Sequence, residues 1–326
     1  MSEQWNHKIF GVKEDGFEAL ALEIFRFQSE HCAVYKAYLE ALKVNPENIN
    51  KIVQIPFLPV RLFKSHSIQT TSFEPALTFE SSGTTGSSNS KHRVKDLSLY
   101  EEGFTKGFEE SYGPVREWCI IGLLPSYLER NNSSLVYMVD KLIQLSQHPQ
   151  SGFYLDEYEK LSAVLNNLEN RKQKTLLIGV TFALLDFAEK YSMPFKQTII
   201  METGGMKGRR EEMIRPEVHG ILKKAFSAEH IHSEYGMTEL LSQAYSKGEG
   251  LFQCPPWMKI LVRDDEDPFV IKQNGSGTIN VIDLANIYSC SFIATDDVGK
   301  VFPDHTFEVL GRIDGSDLRG CSLMVL

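Results

Sequence analysis

From Trp118 to His232 the chain alternates short apolar runs with amphipathic stretches, and this rhythm limits most strongly what it can fold into. Trp118-Cys-Ile-Ile-Gly-Leu-Leu124 reads as a buried strand, and residues 174–180, 197–201 and 230–232 read as further strands. Between and after them the spacing predicts helices near 133–147, 156–170, 182–191 and 209–226. Such alternation calls for a parallel or mixed sheet covered by helices, an α/β fold. The first third is helical in pattern: Phe17, Leu20, Ala21, Ile24 and Phe27 recur at helical spacing, followed by Val34, Tyr35, Tyr38, Leu39 and Leu42. Pro56 and Pro59 interrupt it, and Ser98-Leu-Tyr-Glu101 predicts a capping-box start to a helix ending near Tyr112. From about Leu251 the pattern changes to short strands, at 269–272, 278–283, 291–294 and 306–310, with Gly and Asp turns. The expected organisation is an α/β core with a helical N-terminal region over 1–250 and a β-rich subdomain with a tail over 251–326.

Composition narrows the function classes. A net charge of −9 and a pI near 5.6 argue against a general nucleic-acid binder, and Lys207-Gly-Arg-Arg210 is too short to reverse that. No apolar run approaches the ~20 residues that span a bilayer, so no membrane span is expected. The N-terminus, Met1-Ser-Glu-Gln-Trp-Asn-His-Lys, lacks the charged-then-apolar design of a signal peptide. Five cysteines without a CxxC pair suit reduced thiols and a cytoplasmic setting.

Against that background, Phe79-Glu-Ser-Ser-Gly-Thr-Thr-Gly-Ser-Ser-Asn-Ser-Lys91 stands out. It follows a strand-like alternation and is hinged by Gly83 and Gly86. Backbone N–H groups and the hydroxyls of Ser81, Ser82, Thr84 and Thr85 can converge on one anion there, a phosphate cradle. It is not the P-loop of ordinary NTPases, since no Gly-Lys-Ser/Thr follows. A surface loop has the same composition, so the segment alone does not decide between the two. Four later segments have a similar double reading. Glu202-Thr-Gly-Gly-Met206 leaves a strand, where glycines let a flat ligand lie against backbone. Ser233-Glu-Tyr-Gly-Met-Thr-Glu239 combines an aromatic ring with a hydroxyl and a carboxylate suited to phosphate and Mg²⁺. Ala294-Thr-Asp-Asp-Val-Gly299 and Gly311-Arg-Ile-Asp314 read as strand exits bearing charge. His230 and His232 alternate on one strand face, but no further ligands cluster at zinc spacing. There is no Gly-x-Ser-x-Gly nucleophile elbow.

Taken in order, these segments resemble the adenylate-forming superfamily of acyl-CoA synthetases, luciferases and nonribosomal adenylation domains. The matches are Ser-Ser-Gly-Thr-Thr-Gly (81–86), Gly-Gly (204–205), Tyr-Gly-Met-Thr-Glu (235–239), Thr-Asp-Asp (295–297) and Gly-Arg-Ile-Asp (311–314). The compact size and the ending Gly-Arg-Ile-Asp-Gly-Ser-Asp-Leu-Arg-Gly-Cys-Ser-Leu look most like the acyl-protein synthetase (LuxE-type) branch. The resemblance implies the fold of that superfamily's N-terminal domain, with ATP and Mg²⁺ as cofactors and a carboxylic acid, expected to be a fatty acid, as substrate. Ser81, Ser82, Gly83, Thr84, Thr85 and Gly86 would hold the ATP phosphates. Gly204, Gly205, Tyr235 and Gly236 would flank adenine, Thr238 would bind the α-phosphate, Glu239 would carry Mg²⁺, and Asp297 and Arg312 would grip the ribose. A carboxylate would attack the α-phosphorus to give acyl-AMP and pyrophosphate.

Two departures follow. Only twelve residues come after Asp314, where larger relatives carry a lid domain with a lysine, so the lid is expected to be absent. Lys91, Arg93, Arg209 or a partner chain would have to substitute, or adenylation would be slow, and the family's usual Pro-Lys after the loop is replaced by Ser87-Ser-Asn-Ser before Lys91. In the acyl-protein synthetases the acyl group passes to a C-terminal cysteine before a partner reductase takes it; here that cysteine would be Cys321, beside Arg319. A buried structural role for Cys321 is the alternative. Transfer to CoA or a carrier protein, and a non-catalytic nucleotide-binding scaffold, are the competing functions.

Overall fold

A computed structural model describes residues 2–81, 89–124, 132–155, 157–204, 213–264 and 266–313. Their contacts sort into two units. One holds the residues up to Phe104, Gly236–Gln243 and the described residues from Gln253 onward; the other holds Thr105–Tyr235 and Ala244–Phe252. The division does not follow chain order, since the N-terminal helices belong with the β-rich tail.

In the first unit the strands Ile271–Lys272, Met258–Arg263, Gly275–Asp283, Phe292–Val301 and Phe307–Arg312 form an antiparallel sheet in that spatial order. Leu58–Pro59 pairs parallel to Phe292–Val301. The helix Glu14–His31 turns Phe17, Leu20, Ala21, Ile24, Phe25 and Gln28 inward. Glu14 and Asp15 in its first turn oppose the positive helix end, and Cys32, in an extended conformation, stops it. Phe25 rather than the neighbouring Phe27 is the deeply buried aromatic, set edge-on to Tyr35 and Phe292. Its full burial contributes about 2–3 kcal/mol. Gln28, also buried, donates to the Asn286 and Ile287 carbonyls and accepts from the Ser291 N–H, so one polar side chain satisfies a turn on the sheet side.

Residues 294–299, expected to leave a strand, lie inside the ten-residue strand Phe292–Val301. Pairing on both sides carries the backbone through the two acids, with a register shift opposite, between Thr278 and Asn280. A second difference concerns the helix Leu97–Tyr112. Ser98 is not its cap: the Asp96 carboxylate accepts the Ser98 N–H at 2.9 Å, so the aspartate two residues earlier closes the helix start.

The second unit has parallel pairing among Gly152–Phe153, Cys119–Leu123, Thr175–Val180, Thr198–Thr203 and His232–Tyr235, with Ala244–Ser246 antiparallel to the last. Cys119–Leu123 and Thr175–Val180 are buried throughout, as strands covered on both faces require. Helices Ser134–Ser146, Tyr158–Asn170, Thr181–Lys190 and Arg215–Phe226 connect them, within a few residues of the expected spans except that the last begins at Arg215. Ser133 caps the first of these by accepting the Val136 N–H. Phe226 stacks on Phe187 and Phe195, locking the last helix to its neighbour. Because the strands are parallel, Val180, Thr203 and Tyr235 end at the same edge, where open α/β sheets place ligands. Among the described residues no helix is long and apolar enough to cross a membrane.

Candidate active site

In the first unit the strands Leu77–Glu80 and Lys91–Val94 pair antiparallel, one on each side of the Ser/Thr/Gly segment. Ser81 closes their neck: its N–H donates to the Ser90 carbonyl at 3.0 Å and its hydroxyl accepts the Ser90 N–H at 2.9 Å. Its side chain is thus engaged in the hairpin. Lys91, weighed as a substitute for a lid lysine, lies opposite Glu80 with its Nζ 3.8 Å from the carboxylate.

Alternation along Lys91–Val94 turns His92 and Val94 inward. His92 is 1% exposed. Its Nδ1–H donates to the Thr238 carbonyl at 2.9 Å, and its Nε2 accepts from the Ser289 hydroxyl at 2.9 Å. A carbonyl can only accept, so the contact at Nδ1 fixes the tautomer. Burial pushes this imidazole down to about 4, against the opposing pull of the Thr238 carbonyl and the Glu239 charge, so the ring is neutral at pH 7. The Ser289–His92 contact resembles a nucleophile–base pair, but both residues are sealed from solvent.

Glu239 is fully buried, and its carbonyl accepts from Asn286 Nδ2 at 2.8 Å. The second and third residues beyond Glu239 are held by Asp283: its Oδ2 accepts the Leu241 and Ser242 N–H groups at 2.8 and 2.9 Å. Its Oδ1 accepts the Ser242 hydroxyl at 2.6 Å and the Ala285 N–H at 3.1 Å. Burial raises Asp283 to about 6 while those donors pull the other way, leaving it ionised at neutral pH. Thr238 and Glu239 therefore sit on a backbone anchored from His92, Asn286 and Asp283. Sequence reasoning missed these three. The signal for His92 was available, since an imidazole alternating in phase with Val94 faces a core; Asp283 and Asn286 had none.

Elsewhere in this unit Arg312 Nε lies 2.7 Å from Asp297 Oδ1, the two residues opposed across paired strands. The Thr295 hydroxyl accepts the Asp297 N–H at 3.1 Å and donates to the Ile279 carbonyl, fixing the backbone that presents the acid. As a magnesium ligand set the residues are sparse: among the described residues no group of three His, Cys, Asp or Glu could hold a metal. A single carboxylate such as Glu239 nonetheless fits Mg²⁺, which keeps waters and takes substrate phosphates beside one or two carboxylates.

In the second unit Gly204 follows the strand Thr198–Thr203 with φ +71°, a left-handed conformation that favours glycine. Tyr235 ends the adjacent strand, is 8% exposed, and meets Phe252 edge-on. Two acids flank these positions. Glu202 accepts from Arg215 Nε at 3.2 Å and from the Thr181 hydroxyl at 3.3 Å, with His219 Nε2 at 3.6 Å. Burial would raise Glu202, but the His219 and Arg215 contacts outweigh it and hold the carboxyl at about 2. Glu234 behaves oppositely: burial and the Glu202 charge raise it to about 7, although the Thr203 hydroxyl donates to it at 2.6 Å. Neither acid was assigned a role from sequence. His230 is exposed and precedes the strand His232–Tyr235, so the two histidines do not share a strand face; His232 Nδ1 shares a hydrogen bond with the Tyr112 hydroxyl at 3.2 Å.

The structure thus ties Ser81 to Ser90, holds Thr238 through His92 and Glu239 through Asn286, pairs Asp297 with Arg312, and sets Gly204 and Tyr235 at neighbouring strand ends. Gly236 is exposed. Ser82, Gly83, Thr84, Thr85, Gly86, Gly205, Arg209, Asp314 and Cys321 lie outside the described residues. The other four cysteines all have thiols pushed up, mainly by burial: Cys32, Cys119 to about 11, Cys254 with help from the Asp283 charge, and Cys290.

Comparison with known proteins gives a family and a fold. A family model described as acyl-protein synthetase, LuxE, matches residues 9–326. A long-chain-fatty-acid–luciferin-component ligase of Aliivibrio fischeri is 24% identical over 348 residues, covering 98% of this chain and 90% of the relative. Among solved structures, a 2-hydroxyisobutyryl-CoA ligase in its postadenylation state superposes with a TM-score of 0.63 at 11% identity, over 92% of this chain and 68% of that one. ATP-bound MatB from Rhodopseudomonas palustris gives 0.54 at 16% identity, over 74% of this chain and 50% of that one, so the chain spans about half the length of MatB. The fold is that of the N-terminal domain of adenylate-forming ligases.

Proposed function

The chain belongs to the LuxE family of acyl-protein synthetases, and from that premise we propose that it activates a fatty acid with ATP and passes the acyl group to a thiol. A carboxylate oxygen attacks the α-phosphorus. The bond from that phosphorus to the oxygen bridging to the β-phosphate breaks, and pyrophosphate leaves with the electron pair. A thiolate then attacks the acyl carbon, the mixed anhydride opens, and AMP leaves. The thiol proton goes to solvent or buffer.

In this reading the segment from Ser81 to Gly86 and the Thr238 hydroxyl orient the phosphates. Gly204, Gly205, Tyr235 and Gly236 take adenine, and Asp297 with Arg312 takes the ribose. Glu239 is the residue that would hold Mg²⁺, which when bound neutralises phosphate charge. The observation that carries the reading is the anchoring of the Thr238 and Glu239 carbonyls by two buried side chains, His92 and Asn286, with Asp283 holding Leu241 just beyond, because positioning and charge compensation are most of what a protein contributes to phosphoryl-type transfer. Cys321 is proposed as the acyl acceptor, supported by the raised thiols of the other four cysteines, which leave them poor nucleophiles at neutral pH. A reductase that removes the acyl group is the proposed partner.

The test is carboxylate-dependent ATP–pyrophosphate exchange with Mg²⁺ across acids from acetate to long-chain fatty acids and aryl acids. Exchange with long-chain acids, abolished in Glu239→Ala, is expected. No exchange with any acid would defeat the proposal.

A further inference from the structure

The Thr238 side chain can address a phosphate only if its backbone is held at one angle. Two consecutive peptide carbonyls set that angle, those of Thr238 and Glu239. Each accepts from a buried side chain on a different element: Thr238 from His92 Nδ1, and Glu239 from Asn286 Nδ2. The two donors are tied together, since His92 Nε2 accepts from Ser289, which follows Asn286 by three residues, and the Ser289 N–H donates to the Asn286 carbonyl. Ser289 is fixed in turn by its own carbonyl, which accepts the Thr70 hydroxyl at 2.6 Å. Phe63 packs its ring edge-on to the imidazole at 5.8 Å.

We propose that His92 is a positioning residue for Thr238, acting on the ATP side of the reaction through the Thr238 carbonyl and never touching substrate; this rests on the ATP-dependent activation proposed above. The side-chain type fits the task. A flat ring with nitrogens on two edges bridges a carbonyl and a hydroxyl that no carboxylate could join, because a carboxylate has no proton for the carbonyl. A residue needed only for packing would not require both nitrogens to be engaged at 2.9 Å. Phenylalanine would fill most of the same space beside Phe63 without either bond.

The experiment compares wild type, His92→Phe, His92→Asn and Ser289→Ala as full-length proteins. It measures thermal unfolding and the separate ATP and carboxylate dependences of ATP–pyrophosphate exchange. The His92→Phe variant is expected to lose about 10- to 100-fold in kcat/KM for ATP, with KM for the acid within about twofold of wild type, because misplacement by about 1 Å costs on that order. In His92→Asn the amide N–H stands near the place of Nδ1–H, so most of the ATP-side loss should be recovered. Ser289→Ala frees the far edge of the ring and should give a smaller loss of the same kind.

Folded His92→Phe with unchanged ATP parameters would overturn the proposal. So would ATP and acid parameters declining together in step with the folded fraction, the signature of a purely structural role. If His92→Phe does not fold, Ser289→Ala decides: wild-type ATP parameters in that variant sink the proposal. Wild-type protein that exchanges with no acid would overturn the underlying function and this inference with it, whereas active wild type with indifferent variants defeats this inference alone.

Discussion

Arg312 Nε stands 2.7 Å from Asp297 Oδ1 across antiparallel strands whose register sets the two residues opposite each other. Asp297 is 5% exposed, while the guanidinium keeps some contact with solvent. Arg312→Ala removes the compensation for a buried carboxylate, and because the arginine is partly solvated the loss should be about 1–3 kcal/mol, below that of a fully buried pair. Urea unfolding measures this. If the pair also grips ribose, the same variant raises KM for ATP; a stable variant with unaltered KM would count against both roles.

Glu234 gives the second unit a pH dependence of defined sign. Its carboxyl is raised from 4.5 to about 7 by burial and then by the Glu202 charge, against the Thr203 hydrogen bond. The folded chain holds a proton that the unfolded chain releases, so this group lowers stability as pH rises from 4.5 through 7. Glu202, held at about 2, acts the other way, and its contribution is lost only as pH falls from 4.5 toward 2. Glu234→Gln keeps an acceptor for Thr203 without the charge. Its stability relative to wild type should rise between pH 5 and pH 8 by on the order of 1 kcal/mol. Parallel urea-unfolding profiles across that range would refute the assignment.

Asp283 predicts a larger effect from a smaller change. Both oxygens accept two donors each, so Asp283→Asn must set an amide N–H₂ against a pair of existing donors. With donors left buried and unmatched, the loss should be about 2–4 kcal/mol. Ser242→Ala, which removes one hydroxyl bonded to Asp283 and to Trp257 Nε1, should cost about 1 kcal/mol. Thermal melts of both variants order the two; equal costs would show that the carboxylate does not organise the segment after Glu239.

The proposed acyl acceptor can be tested against the other thiols. Incubation with ATP, Mg²⁺ and an accepted fatty acid, followed by digestion and mass spectrometry, should place the acyl mass on the peptide carrying Cys321. Cys321→Ala should lose it and Cys119→Ser should keep it, since burial raises the Cys119 thiol to about 11. Acylation undiminished in Cys321→Ala would end that assignment.

The alternation from Trp118 to His232 determined the parallel sheet, because a buried strand must be apolar and a covering helix amphipathic whatever the partner. The same local reasoning located the helices of the first third and the motif around Thr238 and Glu239. It failed where a residue's meaning depends on chain far away. Residues 294–299 resemble a turn, yet strands on both sides carry them straight on. Gln28 looks like one more polar helix residue until Asn286 and Ser291 surround it. Ser98 has a capping pattern, but Asp96 takes the N–H. The sequence by itself therefore specified the strand–helix alternation of the second unit and which residue types stand at the candidate site, but not the strands Ala244–Ser246 and Met258–Arg263. Only the tertiary structure decided that His92 and Asn286 hold Thr238 and Glu239 with Asp283 fixing the residues beyond, and that Glu202 is held at about 2 while Glu234 is raised to about 7. Hydrogen-bond partners separated by tens to hundreds of residues and burial that shifts a proton equilibrium are properties of the packed chain, and local pattern carries no record of either.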